Sequence, residues 1–180
     1  MKKHYFIGIK VPRNIALPII KERDKTNAQE THKVLPVADD LHITLYYLGH
    51  VEEENLTLLL QSLQNIRWDA FKLTTSGLSH FGNPETPRVI FTALEESESL
   101  KRLQYKVVQA LSDAIEVKET EDFTPHITIA KKWAAAKPLY TKDFQLPKMS
   151  FEVSYFSIFK INNDLSPRYE EIHSIHYRGG

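Results

Sequence analysis

The sequence predicts an α+β fold of two pseudo-symmetric lobes, each an antiparallel sheet with helices packed outside, and a central cleft between them. Three observations carry that expectation. Strand-like and helix-like stretches follow one another in mixed order instead of strict alternation, which argues against a doubly wound parallel sheet. The second half repeats the first in outline. A His-Xaa-Thr-apolar tetrapeptide also occurs once in each half, as His42-Ile43-Thr44-Leu45 and as His126-Ile127-Thr128-Ile129.

In chain order, residues 5–11 read as a strand ended by Pro12, and residues 14–29 have helical composition, apolar at the start and charged at the end. Residues 41–48 form a second strand, rich in aromatic and β-branched side chains and stopped by Gly49. The stretch 52–66 is helical, with Leu56, Leu59, Leu60 and Leu63 at core-facing spacing and an acidic start that suits a helix N-terminus. Strands are expected at 68–78 and 88–94, flanking a turn-rich segment from His80 to Pro87. The clearest helix is 97–115, where Leu100, Leu103, Val107, Val108 and Leu111 share one face. Residues 123–130 carry the second motif behind Thr124-Pro125, and 151–161 and 169–177 supply the late strands. With 180 residues, one two-lobed domain over 1–180 is the expected organisation.

Composition narrows the function classes. The 23 basic and 23 acidic side chains balance, so no overall charge advertises a coat for long nucleic acid, although a local basic pocket is compatible with it. Without cysteine there are no disulfides, thiolate metal sites or cysteine nucleophiles. The apolar run after Lys2-Lys3 is short and broken by Lys10, Pro12 and Arg13, unlike a signal peptide, and no stretch has bilayer-spanning length. A cytoplasmic monomer is the expectation. The six glycines form neither a Walker loop nor a dinucleotide fingerprint, and no Gly-Xaa-Ser-Xaa-Gly elbow is present.

The repeated tetrapeptide carries the chemistry. On a strand, a period of two puts His and Thr of each copy on one face and the intervening Ile on the other, toward a core. One copy alone is a surface strand by chance, whereas two copies in the same phase suggest strands lying side by side. Their two imidazoles suit paired general acid and base catalysis, and their two hydroxyls suit an oxyanion such as phosphate. Pro125 marks a strand start or edge directly before His126. His4, His32 and His50 match no partner pattern and read as solvated surface residues, while His80 borders a turn. His173 and His176 are three apart on an expected strand, which points them to opposite faces and disfavours a shared metal.

At these residues the chain resembles the two-histidine phosphoesterases, and within them the bacterial and archaeal RNA 2′,3′-cyclic phosphodiesterases, also called 2′-5′ RNA ligases. The resemblance spans Tyr5-Phe6-Ile7-Gly8-Ile9, Leu41 to Gly49, Phe81 to Phe91, Phe123 to Ala130, and Ser157-Ile158-Phe159-Lys160 with Tyr169 beyond. It implies a substrate that is an RNA end or nucleotide bearing a 2′,3′-cyclic phosphate, opened to a 2′-phosphate. It further implies His42 as proton donor, His126 as proton acceptor, and Thr44 and Thr128 as phosphate ligands, with neither metal nor other cofactor. The family pattern carries Arg shortly after the second motif, where this chain has Lys131-Lys132; Lys131 is the candidate to supply that charge, as a point cation without a planar fork. Phe81 and Tyr155 are candidate base-stacking aromatics. Rival readings are a metal hydrolase using Asp39 or Asp40 beside the histidines, a non-catalytic RNA-end binding module, and a relative acting on ADP-ribose cyclic phosphate.

Overall fold

A computed structural model of the chain describes residues 2–118 and 122–179. It is α+β, and every strand pairing is antiparallel. The strands are β1 (His4–Lys10), β2 (His32–Val34), β3 (His42–His50), β4 (Phe71–Gly82), β5 (Pro87–Leu94), β6 (His126–Trp133), β7 (Ser150–Val153), β8 (Tyr155–Ile161) and β9 (Tyr169–His176). The helices are α1 (Arg13–Arg23), α2 (Ala28–Thr31), α3 (Glu53–Gln64) and α4 (Glu98–Ser112), with a short 3-10 turn at Ala38–Asp40.

The strands lie in the order β7-β4-β5-β6-β3-β1-β8-β9, with β2 added beside β6. Two halves meet at a narrow waist, because β3 and β6 pair at one position only, Ile43 opposite Ile127. Those are the middle residues of the two His-Xaa-Thr copies, and both are fully buried. The apolar face of the waist joins Leu45 and Ile129 to Ile15 and Ile19 of α1, Leu59 and Leu63 of α3, and Leu100, Leu103, Val107 and Leu111 of α4 in one core. The other face is left to polar side chains.

Several boundaries differ from the sequence expectation. The 14–29 helix ends at Arg23, because Thr26 turns the chain: its hydroxyl donates to the Arg23 carbonyl and accepts the Ala28 amide. The single late strand expected at 151–161 is two strands in different halves, β7 on β4 and β8 on β1. The break falls at Ser154, which belongs to neither strand, and β8 is buried on both faces over Phe156–Phe159 where β7 alternates. Strand β4 runs on through His80 to Gly82, so the expected turn shortens to the residues between β4 and β5. The 97–115 helix is borne out as α4, with the Ser97 hydroxyl capping the Leu100 amide at 3.1 Å. The strand expected at 123–130 begins at His126, directly after Pro125, and extends to Trp133.

Candidate active site

An antiparallel pair centred on Ile43 and Ile127 sets His42 beside Thr128 and Thr44 beside His126 across a local twofold axis. The symmetry extends to hydrogen bonds. His42 Nδ1 lies 2.7 Å from the Asp40 carbonyl oxygen, and His126 Nδ1 lies 2.8 Å from that of Thr124. A carbonyl only accepts, so in both rings Nδ1 carries the proton and Nε2 is left for chemistry. In each case the acceptor is two residues upstream. At His42, Nε2 also meets the Thr44 hydroxyl at 3.1 Å.

Both motif strands bulge directly after the motif threonine. Gly8 and Ile7 of β1 pair with Thr44 and Tyr46, leaving Leu45 as the extra residue; Phe91 and Ile90 of β5 pair with Thr128 and Ala130, leaving Ile129 as the extra one. Each bulge inverts the strand phase. A strict period of two would return Tyr46 and Ala130 to the polar face. The bulges return Tyr47 and Lys131 instead, each five residues after its histidine. Arg23 braces the second bulge: its buried guanidinium donates to the carbonyls of Ile129 at 3.3 Å and Pro36 at 2.6 Å.

Phe6, Pro36, Asp40, His42, Thr44, Tyr47, Thr128, Lys131, Ile161 and Tyr169 enclose a cavity of about 230 Å³. His42 is boxed by Phe6 at 4.5 Å between ring centroids and by the edge of Tyr169 at 5.0 Å, with Phe159 behind at 6.3 Å. Burial in this aromatic box pushes the His42 imidazole down from its ordinary value to about 4; the Asp40 hydrogen bond opposes the shift, and the positive charges of Lys131 and His126 add to it. His126 sits against Phe81 at 4.9 Å and Phe91 at 5.1 Å. The Lys131 ammonium donates to the Tyr169 hydroxyl at 3.2 Å and stands over that ring.

The structure thus brings His42, Thr44, Thr128 and Lys131 around one cavity, with His126 at its side. Sequence reasoning missed Phe6, Tyr47 and Tyr169 as parts of the site. Tyr47 and Lys131 are reached only through the bulges, which an alternating pattern hides. Tyr155, one of the two candidate stacking aromatics, packs on His176 at 5.3 Å and does not line the cavity. His32, expected on the surface, is buried and held between the Thr31 hydroxyl and the Pro87 carbonyl oxygen, and desolvation lowers its pKa. The carboxylates of the rival metal reading are otherwise engaged. Asp39 pairs with Arg13 at 2.8 Å, and buried Asp40 accepts the backbone amides of Arg168 and Tyr169 at 2.9 and 3.2 Å.

Comparisons with known proteins give the family of the chain. The family model of the 2′-5′ RNA ligase superfamily matches residues 12–165. A protein of Bacillus subtilis (strain 168) named RNA 2′,3′-cyclic phosphodiesterase is 33% identical over 177 residues, covering 96% of this chain and 95% of its own. A namesake from Geobacillus stearothermophilus is 27% identical and covers 95% of this chain, which spans 56% of that longer protein. Among solved structures, LigT of E. coli complexed with 3′-AMP superposes with a TM-score of 0.81 at 22% identity, over 98% of this chain and 99% of the other. The chain belongs to the 2′-5′ RNA ligase superfamily, whose fold it shares throughout.

Proposed function

We propose that this protein is an RNA 2′,3′-cyclic phosphodiesterase that opens a terminal cyclic phosphate to a 2′-phosphate. The observation that carries the reading is the Ile43–Ile127 register, which faces two imidazoles, each anchored through Nδ1, across one waist. The names of the Bacillus and Geobacillus relatives point to the same substrate class.

In the proposed step, water attacks phosphorus and gives its proton to His126 Nε2, while the P–O3′ bond breaks and O3′ takes a proton from His42 Nε2. The products are a 2′-phosphate and a free 3′-hydroxyl, with His42 neutral and His126 cationic. Thr44 and Thr128 donate to the non-bridging oxygens as negative charge builds there, and Lys131 adds a cation beside them. Desolvation favours the neutral form of His42. The anionic phosphate offsets that burial, so substrate itself favours the protonated, donating form. The scheme needs neither a metal nor a second subunit, and the cytoplasm is its proposed setting.

The experiment is hydrolysis, in EDTA, of an RNA ending in a 2′,3′-cyclic phosphate. A 2′-phosphate product, with turnover falling by roughly two to four powers of ten in His42→Ala and in His126→Ala, is expected. Full activity in either variant, or a 3′-phosphate product, contradicts it.

A further inference from the structure

We infer that the groove between the N-terminal residues and the connection after β8 carries the nucleotides upstream of the reacting end, so that the preferred substrate is an RNA strand and not a free cyclic mononucleotide. This rests on the cyclic-phosphate reading above and names its substrate class.

The cavity's size makes the first argument. At about 230 Å³, and with His126 beside it and not among its lining residues, it falls below the roughly 300–1,000 Å³ of sites that enclose a whole small ligand, so part of the substrate extends beyond it. One larger depression, about 630 Å³, shares a wall with it: Ile161 lines both. That groove is lined by Lys2, Lys3, His4 and Lys160 against a single acid, Asp164. In a chain of 23 basic and 23 acidic side chains, this excess comes from placement and not from composition. Acids do stand nearby: Glu170 is the cross-strand partner of Lys160, Glu52 bonds His50, and the Glu53 contact with Lys3 is long, at 3.9 Å, and exposed. Both lysine and acid are open to solvent there, so a phosphate can displace the pair.

The junction between cavity and groove makes the second argument. Tyr47 reaches the cavity wall through the Leu45 bulge and is 56% exposed, so its ring is open to a ligand at the cavity mouth. Its hydroxyl is held by His4 Nδ1 at 2.9 Å, and His4 lines the groove. A fixed, exposed aromatic followed by a row of cations is how single strands are bound: bases stack on the ring and the backbone follows the charge. By the local twofold axis, Tyr47 is the counterpart of Lys131. One half therefore presents a ring and the other a cation to the same ligand.

The test compares adenosine 2′,3′-cyclic phosphate with a ten-nucleotide RNA ending in the same group, using the unmodified protein and Lys2→Gln/Lys3→Gln/Lys160→Gln from 50 to 200 mM salt. Affinity for the 3′-phosphate form of the RNA is read separately by fluorescence anisotropy. The triple variant is expected to lose about tenfold or more in kcat/KM on the RNA, to flatten the log–log salt slope of binding by about two, and to turn over the mononucleotide within twofold of normal. Equal losses on both substrates, or an unchanged salt slope, overturn the groove. If the unmodified protein hydrolyses neither substrate, the cyclic-phosphate reading fails, and with it the preference for an RNA substrate.

Discussion

Asp40 holds the His42 side of the site through two different groups. Its carbonyl oxygen sets the His42 tautomer, and its carboxylate ties down the backbone of Arg168 and Tyr169, whose ring closes the box over that same histidine. Asp40→Asn keeps the carbonyl but replaces one accepting oxygen with a donor that faces an amide, at a cost on the order of 2 kcal/mol. Tyr169 then loosens, water reaches His42, and an NMR titration of that imidazole is expected to move up from about 4 toward its ordinary range. A titration unchanged from the unmodified protein would separate Asp40 from the box. The acid and base assignments have their own test. A phosphodiester with a p-nitrophenolate leaving group needs no proton on departure, so His42→Ala should lose less than about tenfold on it while losing far more on the cyclic phosphate. His126→Ala should be equally impaired on both substrates; the reverse pattern exchanges the two roles.

At the scale of elements, the site depends on two strands meeting at one residue pair, with a bulge beyond each. Close backbone approach makes this junction possible. A Cβ on Gly8 of β1 would stand 2.7 Å from the carbonyl oxygen of Ile43, with the Phe6 ring at 3.1 Å. Gly8→Ala should therefore push β3 away from β1 at the motif itself, destabilising the protein by about 1–3 kcal/mol in denaturant unfolding and lowering turnover with it. Stability and activity both unchanged would show that the junction tolerates strand movement. Much of this level was legible in the sequence: the strands bearing the motifs, the opposed faces of His and Ile, and the apolar stripe of α4 all follow from periodicity. The bulges were not. They come from pairing with β1 and β5, and no alternation within Leu41–Gly49 or His126–Trp133 announces that Leu45 and Ile129 are the extra residues. That is why Lys131 could be named only through resemblance and Tyr47 not at all. His32 was misread for a related reason, because its burial depends on β2 joining β6, a three-residue strand that composition does not reveal.

For the whole molecule, a half-buried histidine that the aromatic box desolvates links stability to pH. The unfolded chain binds a proton at His42 near pH 6.5, whereas the folded protein resists doing so until about 4. Between those values the unfolded state holds more protons, so stability is fully present above about 6.5 and declines as pH falls through the window, by up to roughly 3 kcal/mol from this group. His32, also lowered by desolvation, acts in the same direction. His50, raised by Glu52, acts in the opposite direction, but from an exposed position. Chemical denaturation at a series of pH values should show this decline, and His42→Gln should flatten it; an unchanged slope in the variant would mean that the ring is hydrated in the folded state.

The central claim is that the two halves of the sheet form one catalytic unit, with one proton given and one taken in the same displacement. Its most direct measurement is kcat/KM on a cyclic-phosphate RNA for His42→Ala, His126→Ala and the double variant. Groups that act as a unit are not additive, so the double variant should be little worse than the more damaged single one. Losses that multiply, as for two independent contributions, would contradict the paired mechanism.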